Sequence, residues 1–243
     1  MSRAFAGIHA INDASFRVEA GAVTALIGPN GAGKSTMCSV ISGFLRPDRG
    51  SVLYDGEEIV GCSPHRLAAR GLLRTFQTSS EFPRLTVTEN LLAGARADRG
   101  TTLIGALLGR RYWIAEERAN LERARVLLMS FELLNVADQM AGMLSGGQKR
   151  LVELMRAIMA RPRFLVLDEP LAGIHPATVE SVIAAIQRLR SDGVTVLMIE
   201  HNLGVVERIC DRVIVMANGS VIANGRMHEL RQNPEVIDAY FGN

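Results

Sequence analysis

Short, mainly apolar runs recur near both ends of the chain. They occupy residues 22–27, 164–167 and 194–199. Runs of this length, rich in Val, Ile and Leu, are typical of strands buried on both faces of a sheet. Segments with helical spacing of apolar residues follow each run, at residues 34–43, 176–190 and 203–210. Strands that alternate with helices in this way predict a mainly parallel sheet with helices on its faces.

Other strand-like segments lie outside this alternation. They are residues 14–18, 51–54, 72–76, 212–216 and 220–223. The last two flank Ala217-Asn218-Gly219, a turn sequence that is typical of an antiparallel hairpin. We therefore expect a small antiparallel β part beside the parallel core.

The middle of the chain has a different pattern. From residue 85 to about residue 160, apolar residues recur at helical spacing, as in the segment from Leu121 to Leu134. A mostly helical stretch between two halves of an α/β pattern predicts an inserted subdomain. We expect one domain over residues 1–243, with its core at 1–77 and 161–243 and a helical insertion at 78–160.

Composition narrows the class of protein. A hydrophobic fraction of 48% in 243 residues is sufficient for a packed core. A formal net charge of +2 gives no electrostatic reason to expect a nucleic-acid-binding protein. Cys38, Cys62 and Cys210 lack the spacing of metal ligands, and they favour a reduced, cytosolic setting. No apolar run reaches the ~18 residues of a membrane helix, so we expect any membrane process to be served from the surface.

A glycine-rich loop lies between the first buried strand and the helix after it, and it matches G-x-x-x-x-G-K-[ST] in full. Glycines let the backbone approach phosphate oxygens, and the N–H groups of the loop and the helix N-terminus form an anion-binding nest. Lys34 is expected to contact the β- and γ-phosphates, and the Ser35 hydroxyl to bind Mg²⁺. The predicted nucleotide-binding residues are Gly28, Pro29, Asn30, Gly31, Ala32, Gly33, Lys34, Ser35 and Thr36. The loop leaves ATPases, GTPases and kinases open, and a turn without a ligand is the less favoured alternative.

Two acidic residues follow the second buried strand. Asp168 and Glu169 are predicted at the carboxyl edge of the sheet, where α/β folds bind ligands. Asp168 is expected to hold Mg²⁺, directly or through water, and Glu169 to orient or deprotonate the water that attacks the γ-phosphate. An ordinary strand-ending turn is the alternative, since Asp and Pro170 both favour turns. The phosphate loop upstream favours the catalytic interpretation.

A second glycine-rich segment, Leu-Ser-Gly-Gly-Gln at residues 144–148, precedes a helix predicted over residues 149–160. The Ser145 hydroxyl, the N–H groups of Gly146 and Gly147 and the helix dipole together predict a second anion site. A Ser N-cap with a glycine-rich lead is the structural alternative. This pentapeptide and the order of the motifs resemble the ATP-binding cassette (ABC) family over nearly the whole chain.

The resemblance implies the architecture and the assembly. Members are P-loop NTPases of the α/β class that hydrolyse ATP, with a helical subdomain inserted into the core. Two such chains hold two ATP molecules between them, head to tail. The residues implied to complete the site of the opposite chain are Ser145, Gly146, Gly147 and Gln148.

Three further site residues are implied only by their positions within the family pattern. Gln77 is implied to touch Mg²⁺ or the attacking water and to link the core to the insertion. His201 is implied to contact the γ-phosphate and Glu169. Phe5 occupies the place of an aromatic residue that stacks on adenine, close to where the sequence begins. A surface Gln, a structural His and a frayed terminal Phe are the respective alternatives.

One loop departs from most of the family. Most members carry an Asp near the positions of Ile174 and His175, and this chain does not. The form Ala172-Gly173-x-x-Pro176 resembles the ATPases of importers for branched-chain amino acids. Similar resemblance is carried by residues 74–77, 85–90, 101–118, 199–202 and 233–237.

The resemblance also implies partners and a location. A second ATPase subunit, identical or paralogous, transmembrane permease subunits and, indirectly, a solute-binding protein are expected at the cytoplasmic face of the plasma (inner) membrane. The implied function is ATP-driven uptake of branched-chain or other hydrophobic amino acids. Uptake of urea or short amides and a soluble ABC ATPase without a transport role are the alternatives. A cassette that does not hydrolyse ATP is disfavoured, because Lys34, Asp168, Glu169 and His201 are all present.

Overall fold

The computed structural model describes residues 1–75, 81–95 and 110–241, and of residues 110–113 and 240–241 only the backbone. Distances between Cα atoms divide the chain into two compact units. The first unit holds Met1–Thr75, Arg163–Pro170 and Ala185–Asn243, and the second holds Phe76–Pro162 and Leu171–Ala184.

The elements follow one another in an order that mixes strands and helices. The strands are β1 (Arg3–Phe5), β2 (Ile8–Ile11), β3 (Val23–Ile27), β4 (Leu53–Tyr54), β5 (Glu57–Glu58), β6 (Leu72–Arg74), β7 (Phe164–Asp168), β8 (Thr195–Ile199), β9 (Arg212–Ala217) and β10 (Ser220–Gly225). The helices are α1 (Lys34–Ile41), α2 (Pro64–Ala69), α3 (Val87–Gly94), α4 (Arg110–Ser130), α5 (Gly146–Met159), α6 (Pro176–Ser191), α7 (Leu203–Ile209), α8 (Met227–Leu230) and α9 (Pro234–Phe241).

The first unit is built on one large sheet with the strand order β10-β9-β3-β8-β7-β6. Its described pairings are parallel except that β9 and β10 form an antiparallel hairpin. Every residue of β3 and β8 is buried, which explains why each strand is apolar except for one threonine. Two short antiparallel sheets, β1-β2 and β4-β5, accompany this core. The predicted α/β class, with a mainly parallel sheet and small antiparallel parts, is confirmed.

The N-terminal region differs from the prediction. Residues 14–18 form no strand. Instead β1 pairs with β2, and the backbone N–H of Ala14 donates to the carbonyl oxygen of Met1. Phe16 and Val18 pack against the buried core of the first unit. Their alternation with polar residues therefore reflects packing and not a ladder of strand hydrogen bonds.

The second unit is mostly helical where it is described. The start of α3 is closed by a capping box between Thr86 and Glu89. The buried side chain of Asn90 bonds to three backbone carbonyls in the segment that leads into this helix. None of the described helices combines the length and the apolar character needed to cross a membrane.

The sheet brings three chain segments to one edge. β3 pairs with β8, and β8 pairs with β7, all in parallel. The carboxyl ends of these strands therefore lie side by side. Gly28 follows β3, Glu169 follows β7 and Glu200 follows β8. This edge is where the predicted phosphate loop and the predicted acidic pair meet.

Candidate nucleotide-binding and catalytic site

The phosphate loop requires glycine at two positions because the space for a side chain is taken. A Cβ at Gly28 would overlap the carbonyl oxygen of Met216, and a Cβ at Gly33 would overlap that of Ala10. Both glycines have positive φ, at 149° and 96°. Gly31 also has positive φ, but no described atom lies within 4 Å of a Cβ built there. Close packing therefore fixes the two ends of the loop and leaves its middle open.

Lys34 lies buried at the first position of α1. Its Nζ donates to the carbonyl oxygens of Gly28 and Pro29 at 2.8 and 2.9 Å. Burial lowers the pKa of Lys34, and the nearby charges of Glu169 and Asp168 oppose that shift. The ammonium group is thus held by carbonyl oxygens of the loop. A bound phosphate would take the place of these oxygens as its hydrogen-bond acceptor.

The N-terminus of α1 remains without a side-chain cap among the described residues. Its N-cap is Gly33, which has no side chain to accept from the first helical N–H groups. Ser35 is exposed and Thr36 is half-buried in the first turn. The turn therefore offers backbone donors and two hydroxyls to a bound anion.

Asp168 ends β7 and is almost completely buried. Its Oδ2 accepts from Nη2 of Arg74 at 2.9 Å, and the two side chains are 3% and 7% exposed. Its Oδ1 is buried and has no hydrogen-bond partner among the described residues. A buried carboxylate oxygen without a donor suits a divalent cation, since hard cations bind oxygen ligands.

Glu169 follows in a conformation that few side chains adopt. Its φ is +51°, in the left-handed region, which costs about 1–3 kcal/mol for a residue with a Cβ. The backbone N–H of Glu169 donates to Ile199 O at 3.0 Å, which holds the turn against the end of β8. The carboxylate Oε1 lies 3.0 Å from Nε2 of His201. Glu169 and His201 are thus brought together as the sequence analysis expected.

The signature segment begins α5 in the second unit. Ser145 Oγ accepts from the N–H of Gln148, and Gln148 Oε1 accepts from the N–H of Ser145, which closes a capping box. Ser145 and Gly146 are exposed. A Cβ at Gly147 would lie 3.0 Å from Gly173 O, whereas one at Gly146 meets no described atom within 4 Å. The helix predicted from residue 149 begins three residues earlier because Ser145 caps it.

Gln77 and Phe5 are the two remaining predicted site residues. Gln77 lies outside the described residues, and its role stays a prediction. Phe5 ends β1 with 45% of its surface exposed, and the Arg3 guanidinium lies 4.9 Å from its ring centroid. The exposed ring fits a stacking surface, and its role also stays a prediction.

Sequence reasoning missed one group that the structure places at the site. Arg74 appears in the sequence as part of a family resemblance, without a role. Its guanidinium bonds to Asp168 and also donates from Nη1 to Ser39 Oγ at 2.8 Å. The signal available was a charged residue at the end of a short apolar strand, next to a predicted acidic strand end.

Comparison with known proteins identifies the class to which this site belongs. A family model described as "ABC transporter" matches residues 11–172. The high-affinity branched-chain amino acid transport ATP-binding protein BraF of Pseudomonas aeruginosa is 40% identical over 98% of this chain and 94% of its own length. A probable branched-chain amino acid transport ATP-binding protein, LivG, of Archaeoglobus fulgidus is 39% identical over 100% of this chain and 93% of its own.

A solved structure agrees with the sequence comparison. The ADP conformation of an ATP-binding cassette of an ABC transporter superposes with a TM-score of 0.81 at 38% identity, covering 100% of this chain and 96% of that one. The chain therefore belongs to the ABC transporter family. It is the ATP-binding, ATP-hydrolysing component, as its phosphate loop and acidic strand end indicate.

Proposed function

We propose that the chain hydrolyses ATP to drive the uptake of branched-chain amino acids through separate membrane-spanning subunits. The proposal of ATP hydrolysis rests on one observation. A single edge of the sheet holds the buried Lys34, Asp168 with one carboxylate oxygen bonded to Arg74, and the Glu169–His201 pair. The names of the relatives support the substrate class. They support neither urea or short-amide uptake nor a role outside transport.

The phosphates of ATP are expected to bind the loop and the first turn of α1. Among residues 28–36, all except Pro29 carry a backbone N–H that could donate, and Lys34 supplies the positive charge for the β- and γ-phosphates. Asp168 and Ser35, with Gln77 as predicted from the sequence, are the residues that would hold Mg²⁺. The partnerless Oδ1 of Asp168 fits that ion. A bound Mg²⁺ would neutralise negative charge on the phosphates.

Glu169 is the residue that we expect to position the attacking water. Its carboxylate orients the water and accepts its proton, while Lys34 and His201 stabilise the charge on the γ-phosphate. The 3.0 Å contact with His201 Nε2 fixes one carboxylate oxygen and leaves the other for the water. The left-handed turn at Glu169 supports this role, because strained backbone is concentrated at functional sites.

The signature segment is proposed to complete the site of a second ATPase subunit, identical or paralogous. Ser145 Oγ uses one lone pair for its cap and keeps its own hydrogen to donate to a γ-phosphate. Gly146 is exposed and is the first residue of the helix, where a backbone N–H has no acceptor within the helix. The head-to-tail dimer thereby supplies two such sites.

The chain is proposed to form a single domain over residues 1–243. The closure of the two ATPase subunits is proposed to be transmitted to the membrane subunits through the helical insertion at residues 78–160, which begins after Gln77. The core at 1–77 and 161–243 carries the catalytic groups. The transmembrane permease subunits bind the assembly at the cytoplasmic face of the inner membrane. A solute-binding protein delivers the substrate on the other side, and no nucleic acid takes part.

Uptake measurements test this proposal. Cells that lack the chain are expected to lose uptake of radiolabelled leucine. Wild type is expected to restore it, whereas Lys34→Ala is not, because the variant lacks the charge that binds phosphate. Urea uptake serves as the control and is expected to remain. Intact leucine uptake together with lost urea uptake would contradict the proposed substrate.

A further inference from the structure

Arg74 is a buried cation at a position where the family pattern assigns none of the catalytic groups described above. It is the last residue of β6, and its side chain is 7% exposed. β6 pairs in parallel with β7, and Arg74 lies opposite Val166, two residues before Asp168. The register of these strands therefore places its guanidinium beside the predicted Mg²⁺ ligand.

One arm of the guanidinium holds Asp168. Nη2 donates to Oδ2 at 2.9 Å, while Oδ1 has no partner among the described residues. A carboxylate fixed through one oxygen presents the other in a single direction. The buried pair thus orients Asp168 toward whatever ligand Oδ1 receives.

The other arm reaches the phosphate-loop helix. Nη1 donates to Ser39 Oγ at 2.8 Å, and Ser39 Oγ donates in turn to the backbone carbonyl of Ser35 at 2.7 Å. Ser42 Oγ lies 3.5 Å from the same Nη1. Arg74 therefore connects both described residues that are expected to bind Mg²⁺, one directly and one through Ser39.

We propose that Arg74 is a positioning residue for the magnesium site, which holds Asp168 and the first turn of α1 at the separation that the metal of a bound nucleotide requires. This inference rests on the proposed function. Groups that hydrogen-bond to metal ligands orient them, and their substitution typically reduces metal affinity or activity about 10–100-fold. A planar guanidinium suits the task because its donors diverge in fixed directions toward a carboxylate and a hydroxyl.

Substitution of Arg74 by Lys distinguishes a role in positioning the metal ligands from a role of the positive charge alone. Arg74→Lys keeps one positive charge near Asp168, but an ammonium on a flexible stem lacks the rigid fork that joins two acceptors. A purely structural counter-ion would tolerate this change without a specific effect on the metal. A positioning residue would not tolerate it.

The test is a Mn²⁺ titration of the ADP-bound protein, followed by the electron paramagnetic resonance signal of free Mn²⁺. Arg74→Lys is expected to weaken Mn²⁺ binding about 10–100-fold. Its affinity for ADP in EDTA, measured with a fluorescent ADP analogue, is expected to be unchanged. Unchanged Mn²⁺ affinity, or an equal loss of ADP affinity without metal, would overturn the inference.

Two further variants complete the design. Ser39→Ala removes only the link to α1 and is expected to weaken Mn²⁺ binding less than Arg74→Lys. If Arg74→Lys fails to fold, unchanged Mn²⁺ binding in Ser39→Ala overturns the inference. Arg163→Lys alters an arginine in an exposed pair with Asp55 and is expected to leave Mn²⁺ binding unchanged. A wild-type protein that binds neither ADP nor Mn²⁺ would instead contradict the proposed function.

Discussion

The chain contains two glycine-rich helix starts, and they are built in different ways. At α1, Gly28 and Gly33 are packed against backbone carbonyls, the helix lacks a side-chain cap among the described residues, and Lys34 is buried. At α5 the lead is exposed, Gly146 has open space around it, and Ser145 and Gln148 close a capping box.

The difference indicates how each start meets a phosphate. The uncapped turn of α1 leaves N–H groups that need an acceptor, so it favours an anion on its own. In the first turn of α5, the N–H of Gln148 donates to Ser145 Oγ, and the N–H of Ser145 donates to Gln148 Oε1. Fewer of its N–H groups therefore need a phosphate as an acceptor. The second site therefore suits a nucleotide that another subunit already holds.

The same substitution at both starts gives the largest expected contrast. Gly33→Ala places a Cβ against Ala10 O at a positive φ, and the backbone strain alone costs about 1–3 kcal/mol. We expect a clear loss of stability in urea denaturation and loss of ATP binding in a fluorescence titration. Gly146→Ala meets open space in a helix and is expected to raise stability by less than about 1 kcal/mol. Equal damage at the two positions would contradict the comparison.

The cap at α5 gives a smaller effect. Ser145→Ala removes the acceptor for the N–H of Gln148 and is expected to cost about 1 kcal/mol of folding free energy, visible as a lower thermal midpoint. Ser145→Thr retains a hydroxyl and serves as the control. ATP binding to the isolated chain is expected to be unchanged in both. Weakened binding in Ser145→Ala would show that the segment serves the loop of its own chain.

Local patterns carried most of the prediction from sequence. The strands β3, β7 and β8 are mainly apolar and buried, and their order along the chain with intervening helices was enough to predict a parallel sheet. The phosphate loop and the capped signature helix are also local, because each motif is contiguous. The contact of Glu169 with His201 was implied by the family resemblance, and the structure brings the two side chains within 3.0 Å.

Contacts that depend on packing escaped the sequence analysis. Arg74 and Asp168 are 94 residues apart, and their pairing depends on the register of β6 against β7. Residues 14–18 alternate between apolar and polar as a strand does. Phe16 and Val18 instead pack against the core, and the segment forms no strand. Positive φ at Glu169 is equally hidden, since nothing in the residue type predicts a left-handed turn.

The most direct test of the account is phosphate release by Glu169→Gln at saturating ATP and Mg²⁺. The amide keeps the shape of the side chain but does not accept a proton from water, so turnover is expected to fall roughly 10²–10⁴-fold while ATP binding is retained. Glu207→Gln, at a surface pair with Arg231, is the matched control and is expected to match wild type. Turnover near the wild-type rate in Glu169→Gln would contradict the account.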